Sequence, residues 1–223
     1  GSVSIVRLDD KADTVEVLVG LHASALAVSP NGQYVVCANA ASDTLSVIDT
    51  STDQIVETIW VKVKPSELFG ASPNALAFHP DGKTLFVANG TQNAIAVVNF
   101  EPEDKGDSKL KGLIPAGWFP GAVAFDAHRN AIYAANIKGL PAVPKKGPKG
   151  GEGFNSHHYN GSISLMSWSS DLSLPELSER VARNNRRAAI AQAALPARPG
   201  QPPRAIPERI GEPSHIKHVV YII

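Results

Sequence analysis

One pattern is written three times in this chain, and it limits the fold more than any bulk property does. Ala25-Leu26-Ala27-Val28-Ser29-Pro30-Asn31-Gly32 runs into Tyr34-Val35-Val36-Cys37-Ala38-Asn39. Fifty residues on, Ala75-Leu76-Ala77-Phe78-His79-Pro80-Asp81-Gly82 runs into Leu85-Phe86-Val87-Ala88-Asn89. Forty-seven further, Ala122-Val123-Ala124-Phe125-Asp126-Ala127-His128-Arg129 leads to Ile132-Tyr133-Ala134-Ala135-Asn136. Each copy has a second half: Thr44–Asp49 with Gln54–Ile59, Ala94–Asn99 with Leu110–Ile114, and Gly161–Met166. A second half also opens the chain, as Val3–Leu8 and Thr14–Val19, so the chain is expected to start inside a repeat.

The segments are short, rich in Val, Ile and aromatics, and bounded by turn formers, which predicts strands. Pro30-Asn31-Gly32 and Pro80-Asp81-Gly82 suit tight hairpins, because Gly accepts positive φ and Pro presets the bend. Ser51-Thr52-Asp53 does the same between the last two strands of a repeat. The runs are apolar almost throughout, as in strands covered on both faces. Repeats of about 40–50 residues with several short strands each are the signature of propeller blades. The predicted fold is all-β, a propeller of four-stranded blades with about three and a half blades present. A ring needs about four to eight blades to close, so the ring is incomplete. The expected partner is the remainder of a longer chain or a second chain that completes it. Leu26, Leu76 and Val123 should occupy matching buried positions, as should Val47, Val97 and Leu165.

The chain has 223 residues, 43% of them hydrophobic, enough for a core. No run approaches the ~20 apolar residues of a membrane span, and no signal peptide is recognisable. The single cysteine, Cys37, lies in a predicted strand and reads as a small buried residue. Net charge is zero, but residues 1–136 carry 9 basic and 15 acidic side chains and residues 137–223 carry 12 and 6. The basic half lacks the interleaved aromatics of a base-stacking surface, so no nucleic-acid partner is expected. Complementary surfaces of a larger protein account better for the asymmetry.

Residues 137–160 interrupt the third repeat. Their Pro- and Gly-rich run from Pro141 to Gly151 forms neither helix nor strand, and it ends in Phe154-Asn155-Ser156-His157-His158-Tyr159. Long insertions are surface loops that often carry function. His157 and His158 are therefore the only candidate metal ligands or catalytic histidines. The plain reading is loop histidines, since sequence neighbours rarely both reach one ion and no carboxylate cluster stands nearby. Catalytic residues are not assigned, and neither a cofactor site nor a metal site is expected in this chain. Asn39, Asn89 and Asn136 recur at matched positions, which favours a structural role in each blade.

Domain limits are set at 1–172 for the partial propeller, 173–213 for a helix and Pro-rich linker, and 214–223 for a last strand. Ser173-Leu174-Pro175-Glu176 is a capping box. Leu174, Leu177 and Val181 follow at helical spacing and should dock on the propeller. Pro196–Pro203 reads as an extended linker. The run Ile216–Ile223 suits a central strand of an α/β domain and should not join the propeller sheets.

Tyr34–Asn39 and Leu85–Asn89, with their Ser-Pro-Asn-Gly and His-Pro-Asp-Gly turns, resemble the YVTN family of β-propellers, the YncE-like group. The order of repeats, the helix Leu174–Asn185 and the tail Gly211–Ile223 resemble bacterial bifunctional proteins, in which such a propeller precedes an alkaline-phosphatase-like phosphoesterase domain. That resemblance implies a bacterial, periplasmic or secreted protein. It also implies divalent metals in the following domain, where they would polarise a phosphoryl group. The sequence stops before any such ligand. The expected function is a non-catalytic scaffold or binding module of a larger phosphoesterase-like protein. The alternatives are an independent protein- or ligand-binding propeller and a propeller-based metal-dependent hydrolase or lactonase.

Overall fold

The computed structural model describes residues 1–8, 14–65, 67, 70–104, 107–139 and 160–221. It divides into two compact units, Gly1–Val181 and Ala182–Ile223.

The first unit is a series of antiparallel meanders. β1 (Ser2–Val6) and β2 (Thr14–Leu18) form a two-stranded sheet, the half blade. Blade 1 runs β3 (Ala23–Val28), β4 (Tyr34–Asn39), β5 (Thr44–Asp49), β6 (Gln54–Trp60). Blade 2 runs β7 (Pro73–Phe78), β8 (Thr84–Asn89), β9 (Ala94–Asn99), β10 (Lys109–Pro115). Blade 3 has β11 (Trp118–Asp126), β12 (Ala131–Lys138) and β13 (Ser162–Ser167). Gly32 and Gly82 sit at φ 73° and 69° in the first turns of blades 1 and 2, where a Cβ would be strained.

The repeat survives down to the register. Leu26 pairs with Cys37, Leu76 with Val87 and Val123 with Ala134. Each inner strand carries a bulge at one matched residue, at Ser24, Asn74 and Gly121. The outer strands of blades 1 and 2 share a second bulge, at Val56 and Lys111. Bulges raise the local twist, and identical placement gives successive blades the same curvature.

Blades stack face to face, and the core lies between them. Val36, Ala38, Leu45 and Val47 of blade 1 pack on Leu85, Val87, Ala96 and Val98 of blade 2. Phe86, Ala88, Ile95 and Val97 of blade 2 pack on Ile132 and Ala134 of blade 3. Val3 and Val17 of the half blade cover Cys37 and Ile48. Aliphatic side chains so enclosed contribute roughly 1.5–3 kcal/mol each.

Two members of the predicted buried trios are not buried, although their strands and registers match. Leu26 is 56% exposed, because only the two outer strands of a blade stand before it. Leu165 is 62% exposed, because no described sheet covers that face of blade 3. Val47 and Val97, with a blade on each side, are enclosed.

Helix α1 (Leu174–Asn184) docks on the blades, as its apolar stripe requires. Leu174 and Leu177 join the core between blades 2 and 3, and Val181 is fully buried. Ser178 Oγ donates to the Leu174 carbonyl (2.7 Å) and accepts the Leu113 amide of β10 (2.9 Å), so the helix covers an outer strand edge. Gly112 makes the approach possible: a Cβ there would stand 2.9 Å from Ser178 Oγ and 3.1 Å from Leu174 Cβ.

In the second unit, Arg186 at φ 53° breaks the chain between α1 and α2 (Arg187–Ala193). The Pro-rich run is folded rather than an extended tether. Arg198 Nε donates to Glu212 Oε1 at 2.7 Å, and its Nη2 reaches Glu208 at 2.8 Å. The Arg209 amide donates to Glu212 at 3.3 Å, and the His215 amide to the Arg204 carbonyl at 3.0 Å. Residues 216–221 enter no sheet among the described residues, and Val219, Val220 and Tyr221 are exposed.

Two outcomes are expected. Gly112→Ala should destabilise the propeller by about 1–3 kcal/mol, the usual cost of overpacking. Melting and faster hydrogen exchange across residues 174–181 check this. The second outcome concerns acid. The Arg198 hydrogen bond holds Glu212 down to about 2, against an ordinary value of 4.5. A carboxylate lowered on folding stabilises fully above its unfolded value and loses that contribution as pH falls toward the folded one. The 198–215 turn should therefore loosen between about pH 4.5 and 2. Glu212→Gln should abolish that pH dependence, read from amide exchange at Arg209 and Ile210.

Candidate functional site

One end of the blade series gathers the features that distinguish a site from a repeat. Each inner strand is entered through a non-glycine residue at positive φ: His22 (57°), Ser72 (49°) and Phe119 (57°). Such backbones are costly and persist only where surroundings impose them. The turns from second to third strand use the same region, at Asp43 (57°) and Asn93 (51°). Both sets of connections lie at this end.

The imposing contacts run from blade to blade. Asp43 Oδ1 accepts the amides of Ala71 (2.6 Å) and Ser72 (3.1 Å) at the entry to blade 2. Asn93 Oδ1 accepts the Phe119 amide (2.9 Å) at the entry to blade 3. The bulge residues add a second latch. Ser24 Oγ donates to the Pro73 carbonyl (2.7 Å) and Asn74 Nδ2 to that of Pro120 (3.4 Å). Asp43 also pairs with Lys62 at 3.1 Å, with both side chains largely enclosed. Lys62 donates further to the Glu67 carbonyl (3.2 Å) and stands 5.9 Å from the Trp60 ring centre. Lys138 lies 4.6 Å over Trp118, a cation–π arrangement. Trp60 and Trp118 are each 45% exposed. This end thus offers two half-open indoles with ammonium groups beside them, on a backbone that cross-links hold in place.

The recurrent asparagines have structural work. Asn39 Nδ2 donates to Thr44 Oγ1 (3.2 Å) and Ser46 Oγ (2.9 Å). Asn136 Nδ2 does the same to Ser162 (3.2 Å) and Ser164 (2.9 Å). In blade 2 Ala96 replaces the serine, and Asn89 Nδ2 turns to the Val61 carbonyl (2.8 Å) and Gln92 Oε1 (3.0 Å). Gly20, Gly70 and Gly117 stand at matched positions two residues before the strained entries. A Cβ on Gly20 would meet Asn39 at 2.7 Å, one on Gly117 would meet the Asn136 amide, and one on Gly70 would meet Asp43 Oδ1 at 2.7 Å. The glycines could have been found from the repeat by their constant offset. The Asp43–Lys62 pair has no such signal.

His157 and His158 lie outside the described residues. Their insertion leaves after Lys138 and returns before Ser162, at this same end, and the Gly139 amide donates to the Asn160 carbonyl (2.5 Å) across its base. Among the described residues, no three His, Cys, Asp or Glu side chains gather as a metal site. No helix of the described residues is long and apolar enough to cross a membrane.

Residues 8–113 match the family described as Lactonase, 7-bladed β-propeller. The fold is that of a β-propeller. A crystal structure of a protein from Lactobacillus plantarum superposes at TM-score 0.51 with 22% identity, over 61% of this chain and 42% of its own. A candidate 6-phosphogluconolactonase from Bacteroides uniformis superposes at TM-score 0.50 with 17% identity, over 74% of this chain and 51% of its own. The chain thus spans about half or less of the propeller structures it is similar to. Among curated proteins, none matches.

Asn136→Ala would leave the Ser162 and Ser164 hydroxyls without their amide partner. It should cost about 1–3 kcal/mol, read as a lower urea midpoint. Asp43→Ala should cost more than Asn93→Ala, since it also strands the enclosed Lys62 ammonium.

Proposed function

We infer that this chain is a scaffold-and-binding propeller segment of a larger phosphoesterase-like protein, periplasmic or secreted, and is not itself the catalyst. The observation that carries this reading is the docking of α1. The segment that follows the last described strand is anchored to the blades by Val181 and by the Ser178–Leu113 hydrogen bond. A module that positions a following domain needs such a rigid exit. The exposed Val219, Val220 and Tyr221 also fit the reading, as an apolar strand awaiting cover. The following domain, on this reading, supplies the divalent metals and the phosphoryl chemistry. The cross-linked end with Trp60 and Trp118 serves as the binding face.

A second reading, a propeller lactonase, is favoured by the family match over residues 8–113. It needs ligands converging from several blades, with His157 and His158 as the candidates at the insertion. One assay separates the two. The purified chain with added divalent metals is offered phosphate mono- and diesters and a panel of lactones. No turnover above blank is expected for any of them. Lactone hydrolysis lost in His157→Ala or His158→Ala would establish the second reading instead. Extending the chain beyond Ile223 in its parent frame should add phosphoesterase turnover and slow amide exchange across residues 216–221.

A further inference from the structure

Every described blade seats its inner strand on the inner hairpin of the blade before it, except the first. Leu76 and Phe78 of β7 pack into the cluster shared with blade 1, and Val123 and Phe125 of β11 into the one shared with blade 2. Their counterparts by register on β3 are Leu26 and Val28, which are 56% and 61% exposed. The half blade accounts for the difference. Val3 and Val17 cover Cys37 on β4 and Ile48 on β5, and nothing described covers the face of β3. β1 pairs with β2 along one edge, and its other edge enters no ladder among the described residues. An open strand edge therefore stands beside an uncovered aliphatic strip.

We propose that this step is a docking groove for a two-stranded β-hairpin of the same kind as the chain's own inner strands. The second strand of the hairpin continues the β1–β2 ladder antiparallel, as β4 does with β5 and β8 with β9. Main-chain pairing of this kind supplies affinity, and the side-chain face supplies selectivity. The two interfaces already built into the molecule define that face. The hairpins covering blades 2 and 3 present Ala25 with Val36 and Ala38, and Ala75 with Phe86 and Ala88. The occupant should carry alanine on its inner strand and a large apolar residue two before alanine on its second. Its bulge residue should be Ser or Asn. Ser24 and Asn74 donate to the carbonyls of Pro73 and Pro120, and the matching acceptor here is the carbonyl of Ala23.

The test uses a synthetic peptide of residues 71–90, which carries Asn74, Ala75, Phe86, Ala88 and the Pro80-Asp81-Gly82 turn. Labelled peptide is titrated with the full chain and followed by fluorescence anisotropy. Saturable one-to-one binding is expected. Leu26→Asp or Val28→Lys should weaken it about tenfold or more. Ile163→Asp, on the uncovered face of blade 3, should leave it unchanged. Both groove positions are exposed, so these variants should fold, and circular dichroism checks that they do. Phe86→Ser in the peptide should also abolish binding. The proposal is overturned by absence of saturable binding, or by equal binding to Leu26→Asp. Leu26-dependent self-association of the chain in place of peptide binding would also overturn it, and would make a second copy the occupant.

Discussion

Blade-on-blade packing is the constraint from which the rest follows. A twisted sheet with two apolar faces is stable only between neighbours, so each blade depends on the next for half of its core. Val36 and Val47 of blade 1 are enclosed by blade 2, and Phe86 and Val97 by blade 3. This explains why sequence-equivalent residues differ so much in exposure. Leu26 and Leu76 have the same register and differ in what stands before them. Side-chain latches act on top of this packing. Asp43, Asn93, Ser24 and Asn74 fix the angle at which one blade enters the next, and in doing so they hold His22, Ser72 and Phe119 near a common mouth.

Much of the architecture was legible because it is periodic. The three Ala-Leu-Ala-type runs, the Pro-Asn-Gly and Pro-Asp-Gly turns, and the Asn endings mark strands and register without any knowledge of contacts. The docking of α1 was also legible, since Leu174, Leu177 and Val181 form a stripe that must be buried. The seat of that helix was not. It depends on Gly112, which stands where blade 1 has Glu57, and nothing local distinguishes a glycine that makes room for a helix from one that weakens a strand. The Pro-rich run was misread for a related reason. Its order comes from Arg198, Glu208 and Glu212, charges ten and fourteen residues apart, which leave no periodic trace.

The candidate site was less legible than the fold. Repetition drew attention to Asn39, Asn89 and Asn136, and repetition is what a structural role produces. The residues that make the open end distinctive, Trp60, Lys62, Trp118 and Lys138, break the repeat instead. They occupy non-equivalent positions, so the alignment of blades passes over them. A site in a repeat protein is more readily found by subtracting the consensus than by reading it.

The one thiol of the chain gains a meaning from where it lies. Cys37 has no exposed surface, and burial pushes its thiol above the ordinary range. Its cover includes Val3 and Val17, which belong to the thinnest part of the fold, a two-stranded ribbon. A thiol reagent can reach Cys37 only when that ribbon lifts or the blade comes apart. Its labelling rate is therefore an intrinsic clock for the opening of the half blade, with no probe to be installed. Anything that braces the ribbon from its free side would slow that clock.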